Sequence, residues 1–174
     1  MDSGIKAKIM TVKWRNSFDP QMRIFTAQNA RNNFAAKRGY IITEPDFRRV
    51  AQQIRFFESC HRTNFENVNI IKKKLAEAIL VPSREIPDNV VTMNSVVSIK
   101  ILKTGKLLSL KIVFPEFENY REFKVSLFSA LGSAIFLGKI GEKITYSTWK
   151  ADNRIKILDI PYQPEANGEY LEKW

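Results

Sequence analysis

The chain has 174 residues, of which 44% are hydrophobic and 26% are charged, a balance typical of one globular domain or two small ones. No apolar run approaches the length of a membrane-spanning helix or of a signal-peptide core, so the sequence predicts no membrane association. The single cysteine, Cys60, excludes an intramolecular disulfide and a zinc site of the CxxC type. These features favour a reducing, cytoplasmic environment.

The net charge is +10, and most of the basic excess lies in the first part of the chain. Residues 1–40 contain eight Lys or Arg against two Asp. Since no hydrophobic period runs through this segment, we interpret it as a basic, disordered arm. Two alternatives remain open, namely contact of the arm with a polyanion such as nucleic acid, and an organellar transit peptide.

Residues 41–82 have the pattern of a short antiparallel helical hairpin. Thr43 is a suitable N-cap, and Pro45 suits the first turn, where its missing N–H costs no hydrogen bond. Two apolar stretches at helical spacing follow, separated by a polar loop at 59–67 and ended by Pro82. These stretches consist of Phe47, Val50, Ala51, Ile54 and Phe57, then Val68, Ile71, Leu75 and Ile79. At about 1.5 Å per residue, such a hairpin reaches only about 20 Å.

Residues 83–174 predict a second domain, because the hydrophobic period changes from 3.6 to 2. The two most regular strands, around 97–101 and 108–114, flank a turn at Gly105, and further strands are expected around 123–127, 144–148 and 155–160. Ser129 is a suitable N-cap for a short buried helix that ends at Gly138. Antiparallel strands around one short helix give an α+β fold.

The sequence contains no nucleotide-binding, zinc-protease or nucleophile-elbow motif, and adjacent Cys60 and His61 lack an orienting third group. We therefore predict a protein that is not an enzyme and needs no metal or cofactor. The densest basic run is Lys72, Lys73 and Lys74, whose side chains point about 100° apart on a helix. A solvated surface is our first interpretation of this run, and a weak, salt-sensitive contact with DNA or RNA is the second.

Five short blocks in the later part of the chain, at 81–87, 90–95, 129–134, 138–142 and 162–166, form an ordered series. Their order and spacing resemble the C-terminal domain of the bacterial Gre transcript-cleavage factors, and most closely that of their short relatives of the Rnk type. The resemblance covers roughly residues 40–170. It implies an N-terminal antiparallel coiled coil, followed by a C-terminal domain with an FKBP-like fold.

In the Gre family, the C-terminal domain docks at the rim of the secondary channel of RNA polymerase. The block at 129–134 resembles the Ser-Pro-Leu-Gly block of that family, although Ala130 stands where many relatives have proline. The resemblance therefore implies a docking site on core RNA polymerase. Its residues are Ser129, Leu131, Gly132 and Ala134.

Gre factors act through the tip of a long coiled coil, where an acidic pair helps to position a metal ion at the polymerase active site. The corresponding tip here contains Glu58, His61, Arg62 and Glu66, with no adjacent acidic pair. The hairpin is also short. The resemblance thus implies a regulator of transcription elongation that occupies the secondary channel without cleaving the transcript. We expect the protein to be a monomer.

Two other functions remain open on the sequence. The basic arm predicts a protein that binds nucleic acid without sequence specificity. An FKBP-like fold also allows a peptidyl-prolyl isomerase, which needs an aromatic-lined apolar pocket. The aromatic residues that could line such a pocket are Phe114, Phe117, Tyr120, Phe123 and Phe128.

Overall fold

The computed structural model describes residues 39–60, 65–148 and 151–170. The predicted arm at 1–40 therefore lies almost wholly outside the described residues, and so do His61 and Arg62. The fold is α+β, as the sequence predicts. The helices are α1 (Glu44–Ser59), α2 (Phe65–Glu77) and α3 (Ala130–Ile135), and the strands are β1 (Tyr40–Thr43), β2 (Ala78–Val81), β3 (Val96–Ile101), β4 (Leu107–Val113), β5 (Lys124–Ser126), β6 (Lys143–Ser147) and β7 (Asp152–Tyr162).

Helix α1 begins as the sequence predicts. The Thr43 hydroxyl accepts a hydrogen bond from the backbone N–H of Asp46 at 3.2 Å, which confirms Thr43 as the N-cap. The apolar face of α1 buries Phe47, Val50 and Ile54, which lie at helical spacing. The pattern of the first helix was therefore sufficient to predict both its start and its buried face.

The end of the predicted hairpin is wrong, because α2 stops at Glu77 and the chain continues as β2. Strand β2 pairs in parallel with β1, from Tyr40 opposite Ala78 to Thr43 opposite Val81. Ile79, which the sequence placed on the buried face of the second helix, is therefore in a strand and 47% exposed. The cause is tertiary, since short runs rich in β-branched residues form strands when a partner run is available.

The second, five-stranded sheet has the order β5-β4-β3-β7-β6. The pairs β3–β4, β3–β7 and β6–β7 are antiparallel, whereas β5 pairs in parallel with β4, so the prediction of a wholly antiparallel sheet is wrong at β5. The strand expected around 155–160 is longer than predicted, because β7 begins at Asp152 and continues through Pro161 to Tyr162. This proline is tolerated because the pairing of β6 ends at Lys156, so the strand is unpaired on that side at Pro161.

The hairpin and the five-stranded sheet share one hydrophobic core. Val50 and Ile71 of the hairpin belong to the same buried cluster as Ile99, Ile112 and Ile157 of the sheet. The division of the chain into domains at 82/83 stays a prediction, but its two parts pack as one body around this cluster. No helix in the part of the chain that the structure describes is long and apolar enough to cross a membrane.

Candidate functional site

The block at 129–134 forms the start of α3 and is fixed by a dense set of short hydrogen bonds. The Ser129 hydroxyl accepts from the backbone N–H of Gly132 at 3.0 Å and donates to the carbonyl oxygen of Ser126 at 2.8 Å. Ser129 is thus the N-cap of α3, which confirms the prediction from sequence. This cap holds the helix against the end of β5.

Gly132 lies where α3 approaches the preceding turn most closely. A Cβ atom at this position would lie 2.0 Å from the carbonyl oxygen of Ser126, which is backbone and cannot move aside as a flexible side chain would. Only glycine therefore fits here. Leu131, the residue before it, is half-buried and packs against the core.

The far end of α3 is bound to α2 of the hairpin through Lys74. Its ammonium group donates to the carbonyl oxygens of Ala134 and Phe136, each at 2.6 Å. Burial lowers the pKa of Lys74 from 10.5 to about 8, while the negative charge of Glu142 acts in the opposite direction. Asn67 adds a second link, since its amide nitrogen donates to the carbonyl oxygen of Phe128 at 3.0 Å.

The predicted docking residues thus lie together at the junction of the hairpin and the sheet. Ser129 and Leu131 are partly exposed, whereas Gly132 and Ala134 are buried. The two buried residues shape the junction and present little side-chain surface to a partner. Contact of the other two with a polymerase stays a prediction.

The basic run at 72–74 is divided among three environments. Lys74 is only 7% exposed, so the prediction that it lies on a solvated surface is wrong. Its buried ammonium group cannot contact a nucleic acid either. The correction has a tertiary cause, because the helix turns this lysine towards the carbonyl end of α3. Lys72 forms an ion pair with Glu58 at 2.7 Å, and Lys73 is exposed.

The hairpin tip is described only in part. Glu58, near the end of α1, is paired with Lys72 of α2, while Glu66 at the start of α2 is exposed. Cys60 is also exposed. Across 39–60, 65–148 and 151–170, no group of three His, Cys, Asp or Glu side chains could hold a metal ion.

Sequence reasoning missed a buried polar cluster where α1 meets the loop before β3. A carboxylate oxygen of Asp46 accepts from the backbone N–H of Met93 at 3.0 Å. Burial, and then the negative charge of Glu165, raise the pKa of Asp46 from 3.8 to about 7. Glu165 accepts from the Thr92 hydroxyl at 2.7 Å, and burial raises the pKa of this carboxyl as well.

The block at 162–166 has a structural role in this cluster. The Gln163 amide nitrogen donates to the carbonyl oxygens of Pro87 and Val90, at 2.9 and 2.8 Å. Together with the Thr92–Glu165 hydrogen bond, these contacts fix the chain after β7 to the segment before β3. Gln163 is a polar residue in a block whose sequence had no other explanation, and this was the signal that could have suggested a structural role.

The five aromatic residues proposed for an isomerase pocket are divided between the core and the surface. Phe114 and Phe128 are buried in the core, where Phe128 packs against Phe57 with ring centroids 5.0 Å apart. In contrast, Phe117, Tyr120 and Phe123 are each more than half exposed. This division weighs against a pocket of the kind that a prolyl isomerase needs.

Comparisons with known proteins identify relatives of the part of the chain that contains α3. The family model described as the C-terminal part of the transcription elongation factors GreA and GreB matches residues 86–162. The regulator of nucleoside diphosphate kinase from Escherichia coli (strain K12) is 28% identical over 102 residues, which are 58% of this chain and 75% of that protein. The protein of the same name from Shigella flexneri gives the same values.

Among solved structures, the GreA/GreB elongation factor from Nitrosomonas europaea is similar in fold. It superimposes with a TM-score of 0.61 and 25% sequence identity, and the match covers 72% of this chain and 100% of that one. The similarity therefore extends beyond the residues that the family model matches.

Proposed function

We propose that this chain is a member of the GreA/GreB and Rnk group of transcription elongation factors and regulators, to which its sequence and fold are similar. In this proposal it binds core RNA polymerase at the secondary channel and regulates elongation without cleaving the transcript. The observation that carries the proposal is the family match over 86–162, which includes the whole block at 129–134. The finer features of the family, a coiled-coil hairpin and an FKBP-like second domain, are part of this proposal.

The docking site would be the exposed edge of α3. Ser129 and Leu131 supply the accessible side chains, and Lys74 holds α3 rigidly against the hairpin through two carbonyl oxygens. A rigid junction favours binding, because little conformational freedom is lost when the partner docks. It also fixes the direction in which the hairpin extends from the docking surface.

The hairpin supports occupancy of the channel without catalysis. Helix α1 has 16 residues, which corresponds to a length of about 24 Å. Positioning a divalent cation needs carboxylates that are free to coordinate it, and Glu58 is already paired with Lys72. The sequence 58–67 contains no adjacent acidic pair. The tip would therefore block longer channel-binding factors and would supply no cleavage activity.

Binding of the full chain to core RNA polymerase at low salt tests the docking site. We expect Leu131→Asp to weaken binding at least about tenfold, because a charge would be desolvated against the partner. Leu158→Asp is the matched control, since Leu158 is an exposed leucine on β7, away from α3. Circular dichroism should show that both variants are folded. Unchanged binding by Leu131→Asp would refute the docking site at α3.

A second candidate, binding of nucleic acid through the basic arm, is favoured by the charge of residues 1–40. Deletion of this segment separates the two functions. The proposed function predicts that polymerase binding persists without the arm, whereas non-specific DNA binding through the arm would be lost.

A further inference from the structure

Three lysines lie side by side on the outer face of the five-stranded sheet. Lys156 of β7 is directly opposite Lys100 of β3 on one side and Lys143 of β6 on the other. The strand neighbours of these lysines, such as Ile99 and Ile155, are buried in the core. Because side chains alternate between the two faces of a sheet, the lysines point away from the core.

This arrangement is unfavourable for the isolated protein. Neighbouring strands lie about 4.8 Å apart, so directly opposite side chains are in contact range, and like charges in such pairs are destabilising. Arg154, two residues before Lys156 on the same strand face, adds a fourth positive charge. We call Lys100, Lys143, Arg154 and Lys156 the basic sheet face.

Acidic side chains do not neutralise the basic sheet face. Within the described ranges, none of its four members forms an ion pair. Asp152 and Asp159 lie on the same side of the sheet, where Asp152 accepts a hydrogen bond from Ser147 and Asp159 lies opposite Ser98. Neither carboxylate is within ion-pair distance of the four basic groups. The positive charges are therefore left for a partner that is itself negative and extended.

We infer that the basic sheet face binds the phosphate backbone of double-stranded nucleic acid, an interaction that goes beyond polymerase binding and does not depend on it. A duplex presents closely and regularly spaced negative charges, which matches a row of positive groups across neighbouring strands. Each bound phosphate would relieve the repulsion between the lysines that contact it. The partner thus supplies the charge compensation that the protein lacks.

The face favours a duplex over an unpaired strand. Proteins that bind single strands stack the bases on exposed aromatic rings. The aromatic residue on this face, at its edge, is Tyr162, which is half-buried and lies 5.8 Å from the ammonium group of Lys111. Backbone contact without base stacking or base readout is the mode that fits these residues.

The test measures binding of the full chain to a mixed-sequence DNA duplex by fluorescence anisotropy, from about 50 to about 200 mM salt. The test variant is Lys100→Gln/Lys143→Gln/Lys156→Gln. Each phosphate contact contributes about −0.9 to the slope of log K against log salt, so we expect the slope to become about 2 to 3 units shallower. The affinity of this variant for the duplex at low salt should also be lower than that of the wild type.

The matched control is Arg84→Gln/Arg121→Gln/Lys139→Gln, which removes the same charge from three exposed positions outside the strands of the sheet. We expect the control variant to retain a salt slope close to that of the wild type, because it keeps all four residues of the basic sheet face. The basic arm is present in both variants, so it does not contribute to the difference between them. The sheet variant should also melt at the same temperature as the wild type or higher, because its repulsion is relieved.

Three results would overturn the assignment. The first is a sheet variant that keeps the wild-type salt slope, and the second is a control variant whose slope becomes as shallow as that of the sheet variant. The third is tighter binding of poly-glutamate than of the duplex at equal charge concentration, which would assign the basic sheet face to an acidic protein.

Discussion

Asp46 is a carboxyl group that folding removes from water, since it is 2% exposed in the first turn of α1. Burial and the charge of Glu165 raise its pKa to about 7, against the N–H of Met93 and the charge of Arg49. The folded state therefore favours the protonated acid. The stability that the raised pKa of Asp46 contributes is fully present below about pH 4 and is lost as the pH rises through about 7.

We expect the free energy of unfolding to decrease between about pH 5 and about pH 7.5 more steeply in the wild type than in Asp46→Asn. The amide keeps an acceptor for the N–H of Met93 and has no charge to desolvate. At about 1.4 kcal/mol per pKa unit, the difference has a ceiling of a few kcal/mol. Urea denaturation over this range measures it, with exposed Asp159→Asn as the control. Parallel curves for the wild type and Asp46→Asn would contradict the raised pKa.

Lys74 should be important for stability, whereas its neighbour Lys73 should not. Lys74→Met keeps a long side chain but leaves the carbonyl oxygens of Ala134 and Phe136 without their donor. We expect a loss of about 1–3 kcal/mol in thermal or urea unfolding, and less than about 0.5 kcal/mol for exposed Lys73→Met. Equal effects of the two substitutions would mean that Lys74 is not held at this junction.

Neither Asp46 nor Lys74 could be assigned from sequence. Asp46 fits a first-turn residue that interacts with the helix dipole, and Lys74 fits the polar side of an amphipathic helix. Their actual partners are backbone groups 47 and about 60 residues away in sequence. Nearly every residue has the same backbone N–H and carbonyl groups, so the sequence does not indicate which of them a distant side chain will bind.

At the scale of elements, α3 depends on a glycine for its position. Gly132→Ala would place a methyl group 2.0 Å from the carbonyl oxygen of Ser126, so α3 or β5 must shift. We expect a destabilisation of about 2 kcal/mol or more, together with weaker polymerase binding, because α3 carries the docking residues. Gly39→Ala is the control, since its new methyl group would meet no atom within 4 Å. A neutral Gly132→Ala would contradict the close approach.

The elements that the sequence predicted are those with a sustained period. Helix α1, most of α2 and the β3–β4 hairpin were identified from alternation or helical spacing, and the Thr43 and Ser129 caps from local chemistry. The short strands β1 and β2 were missed because four residues cannot show a period. The parallel pairing of β5 was also missed, since pairing direction depends on the path of the chain and not on its pattern.

At the scale of the molecule, the hairpin and the sheet pack around one shared core. The candidate site at 129–134 was found from its resemblance to a family. Physical reasoning on the sequence gave only a capped helix there. The structure adds what the sequence could not, namely that Lys74 and Asn67 fix the hairpin to the segment that carries the proposed docking residues.

The most direct measurement is binding of the full chain to core RNA polymerase in competition with a Gre cleavage factor. The proposed function predicts mutual displacement with equal coupling in both directions, and loss of factor-stimulated transcript cleavage as this chain is added. Simultaneous binding of both proteins, with cleavage unaffected, would contradict a shared site at the secondary channel.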